Sequence, residues 1–332
     1  MISTNSFSKV SRGTQKNLNN INNSIKEGKY YEAHQMLHSV SQRYVKQRKI
    51  NDAIHLLHNG AKSLLSYDQE GSAFDLFKRL ITIYNNENVI VTEESIGRLI
   101  DILNSFKSIN QFTDDAMKLS IAWSIKNGNS QFGDQSIHHS YGLKCLKEKK
   151  YYNAENHFIF GNLDSAKALG IMEYQWSTEK YNDDYGYFIA RAVLQYLAIK
   201  KLSHARTCLS SFCDKIKANI KDDNEKSKII VHNTNNIDIY SSSLLNFCQV
   251  LILIIERENT INQFQQVCHK YQELLLEKDP FLSELVDNIA EVFFNIKKQK
   301  AHNMFEDIIN SFFAPVENNN EITFESDNNA LD

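Results

Sequence analysis

Proline occurs only twice in 332 residues, and glycine eleven times. So few breakers exclude a sheet protein built on frequent tight turns, which would need both residues at short intervals. No apolar run reaches the roughly twenty residues of a membrane span. The most apolar stretch, Leu244 to Ile255, is interrupted by Asn246 and Gln249 and reads as a buried helix. The five cysteines, Cys145, Cys208, Cys213, Cys248 and Cys268, form no CxxC pair. That spacing indicates neither a disulfide framework nor a zinc knuckle, and reduced thiols fit best. There is no excess of positive charge either: the net charge is −3 and the isoelectric point about 6.4, which gives nucleic acid no general electrostatic foothold. Residues 1–13 are rich in serine and asparagine and lack the apolar core of a signal peptide. Nor does the chain contain a phosphate-binding GxxxxGK[ST], a GxGxxG or a GxSxG nucleophile elbow. The expectation is a non-enzymatic protein without cofactor or metal.

What the chain does have is a repeat. Ala33, Ala53 and Ala73 stand twenty residues apart, and the residues at offsets 3, 4, 7 and 11 from each are Met36, Leu37, Val40 and Tyr44, then Leu56, Leu57, Gly60 and Leu64, then Leu76, Phe77, Leu80 and Tyr84. Those offsets trace one face of an α-helix. A helix of about fifteen residues plus a short turn is the unit of a solenoid, in which each helix buries its stripe only against its neighbours. The segments before the alanines, beginning at Gly28, Lys49 and Glu70, are expected to hold a glycine or a capping side chain that ends one helix and starts the next. The pattern returns later. Lys150-Tyr151-Tyr152-Asn153-Ala154 repeats Lys29-Tyr30-Tyr31-Glu32-Ala33, and Ala205 is followed by Cys208, Leu209, Phe212 and Ile216 at the same offsets.

The fold expected is therefore all-α, an α-solenoid of stacked antiparallel helix pairs of tetratricopeptide-like kind. Its N-terminal half is placed at 14–147 and its C-terminal half at 148–313, the latter carrying an insertion at 217–240. Within the insertion, Ile229-Ile230-Val231 and Ile237-Asp238-Ile239-Tyr240 flank an asparagine-rich turn and predict a small β-hairpin. Such a hairpin is marginal alone in water and must lie against the helices or a partner. Residues 1–13 and the acidic, asparagine-rich tail 314–332 are expected to be disordered, and 303–313 to form a last amphipathic helix.

Taken together, Tyr30-Tyr31-Glu32-Ala33-His34-Gln35-Met36, Arg43-Tyr44-Val45, Asn59-Gly60-Ala61 and Gly71-Ser72-Ala73-Phe74-Asp75-Leu76 resemble the N-terminal half of the Golgi-to-ER traffic protein four family. Ala192 to Leu197, Leu244 to Phe247 and Asp279-Pro280-Phe281 through Phe293-Phe294 continue the resemblance in the family's order. It implies a cytosolic, non-enzymatic adaptor in the targeting of tail-anchored proteins to the endoplasmic reticulum. The partners it implies are a targeting ATPase at the N-terminal face and a ubiquitin-like-domain protein at the C-terminal half, with a BAG-family scaffold left open. No nucleic acid and no membrane span enter. The alternative is a helical-repeat scaffold subunit of another cytosolic complex, such as a proteasome-lid-like assembly. A subunit of that kind would end in a winged-helix domain, for which 303–332 is too short.

Two sets of residues are candidates for contact. Arg43, Lys46, Arg48 and Lys49 place four cations at the end of one predicted helix, where they complement its dipole or steer an acidic partner. By resemblance, Tyr30, Lys46 and Asp75 match ATPase-docking positions, and Arg43 joins them through the basic run. Phe247, Leu251, Phe264, Tyr271 and Phe281 either fill the core or line a groove for the ubiquitin-like partner. His34 with His38, and His55 with His58, have spacings able to chelate a metal, but flank the apolar stripes and are expected to make helix-surface or inter-helix hydrogen bonds instead.

Overall fold

In the computed structural model, residues 12–180, 185–220, 229–234, 237–257, 260–297 and Asp307 are described. They form fourteen α-helices and one two-stranded hairpin: α1 (Arg12–Lys26), α2 (Tyr30–Lys46), α3 (Ile50–Leu65), α4 (Glu70–Asn86), α5 (Glu93–Ser105), α6 (Gln111–Asn127), α7 (Gln135–Lys147), α8 (Tyr151–Phe160), α9 (Leu163–Lys180), α10 (Tyr185–Ala198), α11 (Leu202–Asn219), β1 (Ile230–Thr234), β2 (Ile237–Tyr240), α12 (Ser243–Ile255), α13 (Ile261–Lys278) and α14 (Pro280–Phe294). Of the segment 1–13 expected to be disordered, Arg12 and Gly13 already belong to α1, whereas 1–11, the helix expected at 303–313 apart from Asp307, and the acidic tail lie outside the described residues. No helix among the described residues is long and apolar enough to cross a membrane.

The twenty-residue register is written into the turns. Gly28, Arg48, Asp68 and Asn88 all have positive φ, and Lys149 and Lys200 repeat the feature further on. At Arg48 the amide donates to Val45 O (2.9 Å) and the next amide, of Lys49, to Tyr44 O (2.9 Å). This is a Schellman closure, in which one left-handed residue lets the last carbonyls of a helix be satisfied before the chain reverses. The starts of α2, α3 and α4, at Lys29, Lys49 and Gln69, have no side-chain cap. The expectation of capping side chains is thus corrected, because the backbone of the preceding turn does the work. Side-chain caps appear where the next helix does not start directly from such a turn: Thr92 and Ser95 form a reciprocal box at α5, and Asn110 and Thr113 at α6.

Ala33, Ala53, Ala73, Ala154 and Ala205 are all fully buried, so the anchor register is that of the core. Apart from α4, which passes over α5 to pack on α6, each helix packs on the next and often on the next but one, the α-solenoid pattern. Gly60 shows how tight the stack is, since a Cβ there would lie 2.4 Å from Leu37 Cδ2. Met36 departs from the pattern and is 37 % exposed. The reason is position: α2 has α1, α3 and α4 as neighbours, whereas α3 is also covered by α5.

Further along, α10 lies against α8, α9, α11, α12 and α14, and from Gly186 to Ala198 only Tyr187 is not buried. The hairpin pairs antiparallel, with Ile230 opposite Tyr240 and Thr234 opposite Ile237. It is bolted to α12: Asn246 accepts from the Tyr240 amide (2.9 Å) and donates to the Tyr240 carbonyl (2.7 Å), while Gln249 donates to Asp238 O (3.0 Å).

Candidate functional site

At the N-terminal end, α2 and α4 run side by side and meet through a ladder of polar side chains. The residues at 34, 38 and 41 fall on one side of α2, and those at 75 and 79 on one side of α4, by the three-and-four spacing of a helix. His34 Nε2 lies 3.1 Å from Asp75 Oδ2. An ionised carboxylate only accepts, so the imidazole donates. One turn on, the polarity reverses: Arg79 Nη1 lies 2.9 Å from His38 Nε2, and Arg79 Nε donates to Ser41 Oγ at 2.9 Å. A guanidinium only donates, so His38 is the neutral acceptor. Burial, then Arg79, lowers its pKa in keeping with that role. On the next layer His58 and Lys62 of α3 both reach Asp101 of α5, at 3.4 and 3.1 Å. These histidines therefore hold contacts between helices, and among the described residues no group of three His, Cys, Asp or Glu could hold a metal.

The four N-terminal candidates are not brought to one point. Tyr30, half-buried at the start of α2, packs on Tyr67 with ring centroids 5.8 Å apart. Asp75 sits level with His34. Lys46 and Arg43 lie at the far end of α2, both exposed. Lys46 is twelve residues beyond His34, hence about 18 Å further along the helix axis. Arg48 pairs with Glu87 (3.6 Å), whereas Lys46 faces no carboxylate of the described residues. The face is thus a strip with a carboxylate towards one end and free cations at the other. The sequence matched Tyr30, Lys46 and Asp75 to docking positions but did not show this separation.

At the C-terminal end, Phe247 and Leu251 are fully buried and Phe264 is 3 % exposed. Phe247 stacks against Tyr271 at 4.9 Å, and Phe264 against Phe294 at 4.3 Å. Only Tyr271 and Phe281 are half-buried. The five do not line a groove as the chain stands, because α12 is enclosed by α10, α11, α13 and the hairpin and spends its aromatic residues on that packing. The open groove lies beside them. It has a volume of about 350 Å³ and runs between α11, β2 and α12, lined by Leu209, Cys213, Lys217, Tyr240, Ile252 and Glu256. Lys217 pairs with Asp238 at 2.6 Å along one edge, and Arg206 with Glu256 along another.

Between the two ends lies a buried polar cluster that the sequence did not reveal. Arg191 of α10 forms a fork on Glu155 of α8, at 2.8 and 2.6 Å, and Gln195 donates to the same carboxylate at 2.7 Å. Glu173 of α9 is fully buried, 3.7 Å from Arg191, and its two oxygens accept no hydrogen bond. Burial, then the neighbouring Glu155, raises its pKa well above the ordinary value. The ring of Trp176 covers the guanidinium at 5.0 Å and that of Tyr152 at 5.3 Å. The fork, the Gln195 bond and the two rings tie α8, α9 and α10 to one another.

The fold and its surfaces define an all-α solenoid of the scaffold type, and the comparisons are specific about which one. The sequence profile described as GET4: Golgi to ER traffic protein 4 matches residues 47–313. The chain is 30% identical over 282 residues to the Golgi to ER traffic protein 4 homolog of Dictyostelium discoideum, a match covering 85% of this chain and 84% of that protein. To Golgi to ER traffic protein 4 homolog A of Xenopus laevis it is 28% identical, over 87% of this chain and 83% of that one. It also aligns with the crystal structure of C. therm. Get4 at a TM-score of 0.80 and 27% identity, covering 92% and 96% of the two chains. The chain belongs to the Golgi to ER traffic protein 4 family, a family of non-catalytic adaptors.

Proposed function

We propose that this chain is a cytosolic adaptor that hands tail-anchored membrane proteins to the endoplasmic-reticulum route, docking a targeting ATPase on its α2–α4 face and a ubiquitin-like-domain protein on its C-terminal half. Membership of the family carries the pathway. The observation that carries the first face is the strip itself: Lys46 exposed and unpaired at one end, Asp75 half-exposed and pre-oriented at the other. Exposed charges of this kind add little to folding and govern encounter and register with a partner. The ATPase would present acidic groups to Lys46 and Arg43 and a cation to Asp75. For the second face, the groove beside Tyr240 and Ile252 is the surface a hydrophobic partner meets; Tyr271 and Phe281, half-buried, are left as further contacts, and Phe247, Leu251 and Phe264 belong to the core of that half.

Titration of the purified ATPase tests the first face. Lys46→Glu and Asp75→Asn should each weaken binding at low ionic strength, more than at high salt, because rim charges are screened. Retention of the ubiquitin-like protein should stay unchanged. Because the two sites are about 18 Å apart along α2, the two effects should add nearly independently. Wild-type affinity in both variants would remove this face from the interaction.

A further inference from the structure

Asp75, on the α2–α4 face, already has a side-chain nitrogen of its own chain beside each oxygen. Oδ2 takes the hydrogen bond from His34, whose side chain is 16% exposed and fixed in the inter-helix ladder. Oδ1 lies 3.6 Å from Lys78 Nζ, one turn along the same helix. The two contacts differ in what their loss would disturb. His34 links α4 to α2, so its departure would alter helix packing. Lys78 is 52% exposed, lies on a flexible stem and links α4 only to itself. Its ammonium is also 5.3 Å from the centroid of the Phe74 ring, and Phe74 is braced by Phe112 at 5.6 Å. That ring already attracts the lysine by cation–π interaction, and it is what remains to hold the ammonium when the carboxylate is taken.

We propose that Lys78 masks Asp75 in the free protein, and that the partner docks by placing a lysine or arginine of its own on Oδ1 while Lys78 withdraws onto Phe74. This rests on the reading that the α2–α4 face docks the ATPase. It adds to that reading an intramolecular competitor that lowers the affinity. An exposed ion pair of this type corresponds to a roughly 1.5- to 5-fold effect on an equilibrium. The masking is therefore a fine adjustment of affinity.

The test is a double-mutant cycle on the full-length chain, titrated with the purified ATPase at low ionic strength. Lys78→Met keeps the aliphatic stem over Phe74 and removes the charge. It should bind about 1.5- to 5-fold more tightly than wild type, with an unchanged melting temperature. In the Asp75→Asn background the same substitution should give no gain. Binding that is unchanged or weaker in Lys78→Met overturns the masking. So does an equal gain in the Asp75→Asn background, which would mean that Lys78 merely repels the partner. Failure of the docking reading has its own signature: Asp75→Asn and Lys46→Glu would both bind as wild type, and the masking would fall with it.

Discussion

Two glycines in helices allow one substitution to be run with opposite signs. Gly170 lies in α9 where it crosses α11, and a Cβ there would stand 2.2 Å from the backbone oxygen of Cys208, 3.0 Å from its carbonyl carbon and 3.1 Å from Ser211 Cβ. The obstacle is backbone, so no rotamer change relieves it. Ordinary contact between carbon atoms is about 3.5–4.0 Å, so Gly170→Ala must drive α9 and α11 apart by about 1 Å. A gap of that size forfeits roughly a quarter to a half of the attraction at each contact along the pair. The cost of such overpacking is about 1–3 kcal/mol, and a rigid obstacle belongs at the upper end. The helix-propensity gain of about 1 kcal/mol for alanine over glycine offsets part of it, which leaves a net loss of about 2 kcal/mol. Gly97, in α5, has nothing within 4 Å of the same position, so Gly97→Ala should show the propensity gain alone. Thermal melts followed by far-ultraviolet circular dichroism, with urea midpoints beside them, should move down for Gly170→Ala and up for Gly97→Ala. A Gly170→Ala protein that melts at or above wild type would refute the helix spacing and the stack built on it.

Three other perturbations have signs set by the structure. His138 and His157 are buried with their Nδ1 atoms 3.1 Å apart, and burial lowers the pKa of His138 to about 4 and that of His157 well below its ordinary value. A lowered base contributes stability above its unfolded value near 6.5 that is lost as pH falls towards the folded one, so His138 alone should cost about 2 kcal/mol between pH 8 and pH 5; a flat urea midpoint over that range would contradict it. Glu155→Gln breaks the fork on Arg191 and should cost about 3 kcal/mol at pH 7, whereas Glu173→Gln should be tolerated because burial, then Glu155, raises the Glu173 pKa and already disfavours its charged form. The raised acid loses its stabilising contribution as pH rises above its unfolded value, so the advantage of Glu173→Gln over wild type should grow towards alkaline pH, and equal damage from the two substitutions would show both to be ionised. Lys200 has φ 61° in a helix-to-helix turn, where only glycine is unstrained, so Lys200→Gly should raise stability by about 0.5–1 kcal/mol in the same denaturation assay.

What could be read from the chain and what could not divide along a physical line. Periodicity is a one-dimensional record of which side of a helix is buried, so Ala33, Ala53 and Ala73 gave the register, and five offsets were enough to predict a stack. The hairpin was legible for the same reason, as two β-branched runs around an asparagine turn. The closure of the turns was not, because a Schellman motif needs one residue in the left-handed region, and Arg48, Asp68 and Lys200 carry no sign of it in their chemistry. Only Gly28 announced itself.

The contact residues were harder still, since exposure is a property of three helices at once. Phe247, Phe264 and Tyr271 have the same helical spacing whether they face a core or a groove. Helix packing decides it: Phe247 and Phe264 are buried and Tyr271 is half-buried against Phe247, while the hairpin, held to α12 through Asn246 and Gln249, borders a groove beside Tyr240. Arg191 is the clearest case. In the sequence it is a cation in an apolar run, and only the crossing of α8 and α9 on α10 supplies the two carboxylates and the tryptophan that let it stay there. Its partners come from separate helices, and no local pattern records them. The same logic governs Asp75: the sequence could match it to a docking position, but its availability depends on His34 from another helix and on where Lys78 rests.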